Sequence, residues 1–80
     1  MSRQRCEVAR AFGVVLRSAR RERGISQEAL AEYADIDRTY PSLLERGLRQ
    51  PTLIHLFGIA DALDMDAAEL VRLTRSRVHT

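Results

Sequence analysis

Eighty residues make one domain near the lower end of what folds alone, so support from a second copy is natural. The net charge is +2 and all 13 cations are arginine, a usage that GC-rich codons explain as well as selection for phosphate and guanine edges does. Cys6 is the one cysteine, which excludes an internal disulfide; no apolar run of about 18 residues can span a membrane, and the opening MSRQRCEVAR lacks the apolar core of a secretory signal.

Apolar residues recur at helical spacing throughout, and no run alternates with period two. Phe12, Val15, Leu16 and Ala19 form the stripe of a first helix that ends at Gly24. Ser26 is the N-cap of a second helix with Leu30, Ala31 and Ala34 inward. The short stretch ADID suits a tight turn, and Asp37 is the expected N-cap of a third helix reaching Arg46 and stopped by Gly47. After GLRQP, Thr52 caps a fourth helix with Leu53, Leu56, Ile59, Ala60 and Leu63 inward. Asp66 and Glu69 form a capping box for a short fifth helix carrying Leu70 and Leu73. The expected fold is all-α, a compact set of five helices. Residues 1–8 are expected as a flexible N-terminal segment, frayed or else a basic arm tracking DNA, 9–74 as the domain and 75–80 as a C-terminal tail.

Helices two and three carry the chemistry. Two short helices joined by a tight turn form a helix-turn-helix, whose second helix can enter the DNA major groove. On the third helix Ile36, Pro41 and Leu44 face the core, while Arg38, Thr39, Ser42, Leu43 and Arg46 face outward. Pro41 interrupts a helical pattern. With Asp37 as N-cap it is the fourth helical residue, losing one terminal hydrogen bond and giving a distorted or 3₁₀-like first turn.

From Phe12 to Leu70 the sequence resembles the lambda-repressor-like (Xre-type) helix-turn-helix family. The motifs FG-x-x-LR-x-x-R, G-x-SQE-x-LA, ERG and P-[ST]-L stand in order at the family's spacing. The resemblance implies that Gln27 binds a phosphate and braces the recognition helix. It assigns base reading to Arg38, Thr39, Ser42 and Leu43, and phosphate contact to Arg46 and Arg49. It also implies a structural ion pair between Arg20 and Glu45. Asp35 stands where the family usually has glycine in the turn, and Asp tolerates the left-handed conformation better than most residues. Leu43 stands where many relatives carry a polar reader; it either touches a thymine methyl or is plain surface.

Several residues have a plainer reading beside the functional one. Tyr40 packs its ring at the core edge, with its hydroxyl a candidate phosphate contact. His55 and His79 have no metal-ligand company and are expected at the surface. Residues 1–25 hold seven arginines against Glu7 and Glu22, whereas residues 61–70 hold Asp61, Asp64, Asp66 and Glu69 with no cation. That asymmetry suits oriented approach to a polyanion.

Helix four carries more apolar residues than one buried stripe needs. Ile54, Phe57 and Gly58 lie off its inward face, as do Val71 and Val78 later. Ile54, Phe57, Val71 and Val78 are therefore candidates for a dimer interface, unless the C-terminal segment folds back over them. The expected function is a cytoplasmic, homodimeric transcription regulator, such as a repressor, that binds double-stranded DNA at a palindromic operator. The alternative is an antitoxin-like module whose main partner is a co-encoded protein. No P-loop, HExxH motif or nucleophile–histidine set points to an enzyme, and no cofactor or metal is expected.

Overall fold

A computed structural model describes the backbone of residues 2–78 and the side chains of residues 5–78. It contains five helices: α1 (Ser2–Arg23), α2 (Gln27–Ala34), α3 (Tyr40–Glu45), α4 (Leu53–Ala62) and α5 (Ala67–Ser76). At about 1.5 Å per residue, α1 runs the molecule's full 33 Å length. It packs on α3 and α5, while α4 lies on α2 and α5. Leu16, Leu30, Leu44, Ile59 and Leu70 have no exposed surface, and each comes from a different helix. The core is thus one apolar cluster to which every helix contributes a central side chain.

Local chemistry sets the helix ends. Ser26, Thr52 and Asp66 accept backbone N–H bonds from Ala29, His55 and Ala68, capping α2, α4 and α5. The first four helices all end in the same way. Gly24, Asp35, Gly47 and Asp64 take positive φ, and the N–H of the following residue bonds a carbonyl five positions back, as from Ile36 to Ala31 and Leu48 to Leu43. This is the Schellman arrangement. Asp35 adopts φ 57° and ψ 49°, so an aspartate sustains the left-handed turn without glycine. Asp64 does the same, at a position with no glycine to signal it in the sequence.

Four features differ from the sequence reading. The helix α1 takes in Ser2–Arg23, so residues 2–8 of the segment set apart at the N-terminus are helical. The N-cap of α3 is Thr39, not Asp37. The Asp37 carboxylate instead accepts from Thr39 N–H at 2.8 Å and from its hydroxyl at 2.6 Å, closing a turn before the helix starts. Pro41 is consequently in the first turn, where an N–H has no helical partner; its ring is fully buried and it forfeits no helix bond. Leu53, expected inward, is 70% exposed at the first position of α4, one turn before the buried Leu56. Leu73 is likewise partly exposed, on the outer side of α5.

Gly58 is not surface either. A Cβ there would stand 2.9 Å from the Ala34 carbonyl oxygen, so the glycine lets α4 cross the end of α2 closely. His79 lies outside the described residues.

Candidate nucleic-acid interface

The turn and α3 present residues 38–46 along one edge of the molecule. Pro41 and Leu44 are buried beneath; Arg38, Thr39 and Arg46 are exposed, and Ser42 and Leu43 are half-buried. Arg38 and Thr39 precede the helix, in the turn that Asp37 closes. The Thr39 hydroxyl donates its proton to Asp37 Oδ1, leaving the oxygen free as an acceptor. Those two bonds from Thr39 hold the Asp37 carboxyl below the usual carboxylate range, with the Arg38 charge a smaller influence. Arg46 points its Nε back to the Ser42 carbonyl at 3.4 Å. Beyond the helix, Arg49 is exposed in the loop and donates from Nη1 to the Leu48 carbonyl at 3.0 Å.

A buried charge cluster fixes α3 against the rest of the domain. Arg20 on α1 donates from Nε and Nη2 to the two Glu45 carboxylate oxygens at 2.6 and 3.2 Å. Its Nη1 donates to the Ile25 carbonyl at 2.9 Å, just past the end of α1. The Glu45 side chain is 4% exposed and Arg20 12%. Gln27, at the start of α2, adds a third donor, with Nε2 at 3.0 Å from Glu45 Oε1. One carboxylate at the end of α3 therefore joins α1, α2 and α3. The bonds to Glu45 hold the Arg20 guanidinium above its ordinary range, outweighing the opposing effect of burial.

Tyr40 ties the loop after α3. Its ring meets His55 edge-on, with centroids 5.1 Å apart and planes at 74°. Its hydroxyl donates to the Gln50 carbonyl at 2.9 Å. Burial pushes the phenol above its ordinary range, and nearby Arg49 opposes this. His55, expected as plain surface, is thus the platform under Tyr40; it is half-buried, and its Nδ1 is shielded without a hydrogen-bond partner. Sequence spacing gave no sign of this contact, which forms between elements separated by the loop.

Gly13 was also passed over, although a lone glycine inside an apolar-periodic helix signals close packing. It faces the Leu44 and Glu45 carbonyls. Among the described residues, no three His, Cys, Asp or Glu side chains gather as a metal site, and no helix is long and apolar enough to cross a membrane.

A helix-turn-helix family model matches residues 16–77, from the later part of α1 to just past α5. The chain belongs to the lambda-repressor-like (Xre-type) helix-turn-helix family. This helix-turn-helix protein is 44% identical over 55 residues to y4dJ of Sinorhizobium fredii, named an uncharacterized HTH-type transcriptional regulator, with 69% of this chain and 71% of that one covered. It is 40% identical over 60 residues to the control protein C.MunI of a Mycoplasma species, covering 74% and 81%. Among solved structures, it is similar to the restriction-modification controller protein C.AhdI of Aeromonas hydrophila, with a TM-score of 0.75 and 40% identity over 78% of this chain and 90% of that one. The family is one of DNA-binding transcriptional regulators and not of enzymes.

Proposed function

We propose that this helix-turn-helix protein is a sequence-specific regulator that binds double-stranded DNA as a homodimer on a palindromic operator, with α3 in the major groove. The carrying observation is the split of α3 and its flanks between buried Pro41 and Leu44 and an outer edge made of Ser42 and Leu43 on the helix, Arg38 and Thr39 in the turn before it and Arg46 at its C-cap. A helix held at both ends, by the Asp37 turn and by the Arg20–Glu45–Gln27 cluster, can present that edge in one orientation.

Arg38 offers a bidentate fork to guanine O6 and N7. Thr39, with its proton engaged, offers an acceptor to the amino group of adenine or cytosine. Ser42 reads either sense, and Leu43 suits a thymine methyl. Arg46 and Arg49 pair with phosphates, which supply affinity without sequence information. Gln27 spends one amide hydrogen on Glu45 and keeps its other donor and its oxygen for the backbone beside α2. The likeness to C.MunI and C.AhdI supports a role as a restriction-modification controller. Two recognition helices in a twofold dimer would read half-sites about one DNA turn apart.

Selection of bound duplexes from a random pool, followed by titration of Arg38→Ala, tests this reading. The variant is expected to lose roughly 1–3 kcal/mol of specific binding with little change in melting temperature. Failure to enrich any duplex, or undiminished affinity of the variant, would overturn it.

A further inference from the structure

Arg5 and Arg10 stand on the N-terminal half of α1, far in sequence from α3, yet the fold brings them to the point where the chain leaves that helix. Arg5 and Ala9 line one shallow cavity, about 320 Å³, with Gly47 and Arg49, and no acidic side chain borders it. Gly47 has φ 74°, and a Cβ there would stand 3.0 Å from Arg10 Cγ and 3.1 Å from Arg10 Cα. Arg10 therefore lies directly against the turn that ends α3. Arg5, Arg10, Arg46 and Arg49 are all exposed. Among the described residues the salt bridges are Arg20–Glu45 and Arg72–Glu69, so none of these four is paired with a carboxylate.

Four like charges, drawn from α1, the end of α3 and the following loop, gather around the turn at Gly47. Among the described residues no carboxylate pairs with them, and the first turn of α1 contains no acidic residue to complement its positive end. Such a cluster favours an extended polyanion, and it continues directly from the two arginines already placed toward phosphates.

We infer that the DNA-contacting surface extends past α3 onto α1, where Arg5 and Arg10 contact backbone phosphates flanking the bases that α3 faces. This rests on the reading of the protein as a duplex-DNA binder. The contact is to the backbone, so it adds affinity and salt dependence without altering which sequence is preferred.

The test is a titration of a fluorescein-labelled mixed-sequence duplex across a series of KCl concentrations. The proteins are the unaltered chain, an R5Q/R10Q variant and an R72Q/R77Q variant that loses the same net charge on and just after α5. Glutamine keeps the aliphatic stem that covers Gly47, and circular dichroism melts verify folding. The slope of log K against log salt is expected to become shallower by about 0.9 for each α1 arginine removed, and to stay unchanged in the α5 variant. Equal slopes for the R5Q/R10Q variant and the unaltered chain, or equal losses in both variants, would overturn the α1 contact alone. An unaltered chain that ignores the duplex in dilute salt would overturn the DNA-binding reading together with it.

Discussion

Gly13 of α1 lies so close to the last turn of α3 that a Cβ on it would stand 2.6 Å from the carbonyl oxygen of Glu45. The Leu44 carbonyl is equally near, so backbone atoms, which cannot rotate away, define this contact. Gly13→Ala should therefore destabilise the domain by roughly 1–3 kcal/mol, although alanine is the better helix former. For a domain of this size each kcal/mol moves the melting temperature by about 4–8 °C. A thermal melt in which the alanine variant equals or exceeds the parent would show that α1 and α3 can part without cost.

The cluster beside that contact makes a second claim. Arg20→Ala would leave the Glu45 carboxylate, 4% exposed, without its bidentate partner. Loss of one member of a largely buried pair typically costs ~3–5 kcal/mol, and Gln27 alone supplies one donor where three had served. Urea denaturation should show most of the stability gone. Because Arg20 is held above its ordinary range, it stays charged up to strongly alkaline pH. Its contribution should accordingly be flat across neutral and mildly basic solutions.

Asp37 brings the acid dependence. Its folded-state carboxyl titrates lower than the unfolded one, because Thr39 N–H and hydroxyl bond the charged form. The resulting stability is present above the ordinary carboxylate value of about 3.9 and is lost as pH falls through the lower folded value. A carboxyl titration followed by NMR should place the Asp37 midpoint below that of exposed aspartates, and Thr39→Val should bring it back up. Coincident midpoints in the two proteins would dissolve the turn as the device that starts α3.

Most of the fold was legible because its signals are local. Ser26, Thr52 and Asp66 announce helix starts, Gly24 and Gly47 announce ends, and the apolar spacing gives the buried stripe of each helix. The errors cluster where a tertiary contact outweighs the local pattern. Asp37 is a good N-cap by type, but its carboxylate is taken by Thr39 two residues on, which shifts the start of α3 and puts Pro41 where it does no harm. Leu53 fits the inward stripe by spacing, yet as the first residue of α4 it stands 70% exposed at the helix end while Leu56 is buried. Spacing puts Gly58 off the inward face and His55 at the surface, because the elements they touch, the end of α2 and Tyr40, are remote in sequence. For the candidate interface, motif order identified which residues share an edge. It could not reveal that the Thr39 proton is already committed, or that α1 reaches the loop carrying Arg49.

That loop depends on Tyr40. Tyr40→Phe keeps the ring against His55 and removes the hydroxyl bond to Gln50, at 2.9 Å. Global stability should fall by only about 0.5–1.5 kcal/mol, while amide exchange in residues 47–50 should accelerate more than in α1 or α4. Unchanged exchange in the loop would mean that Gly47 and Pro51 already fix its path.

The proposed dimer would join surface to function. Ile54 is 80% exposed and Phe57 57%, and Leu53 extends the same apolar side of α4. Among the described residues the C-terminal ones do not cover it: α5 ends at Ser76, and Val78 with Val71 borders a separate apolar groove against Phe12 and Leu56. Burying a Phe side chain is worth about 1.5–3 kcal/mol, and a twofold interface counts that gain from both copies. Phe57→Glu replaces it with two carboxylates brought toward each other, so sedimentation should shift from dimer to monomer at concentrations where the parent stays paired. Duplex DNA binding by the variant should weaken and lose its cooperativity, while the melting temperature of the monomer holds, because Phe57 is not part of the core. If the sedimentation profile is unaltered, the pairing surface must lie at the groove formed by Val71 and Val78, and Val71→Glu should then produce the monomer.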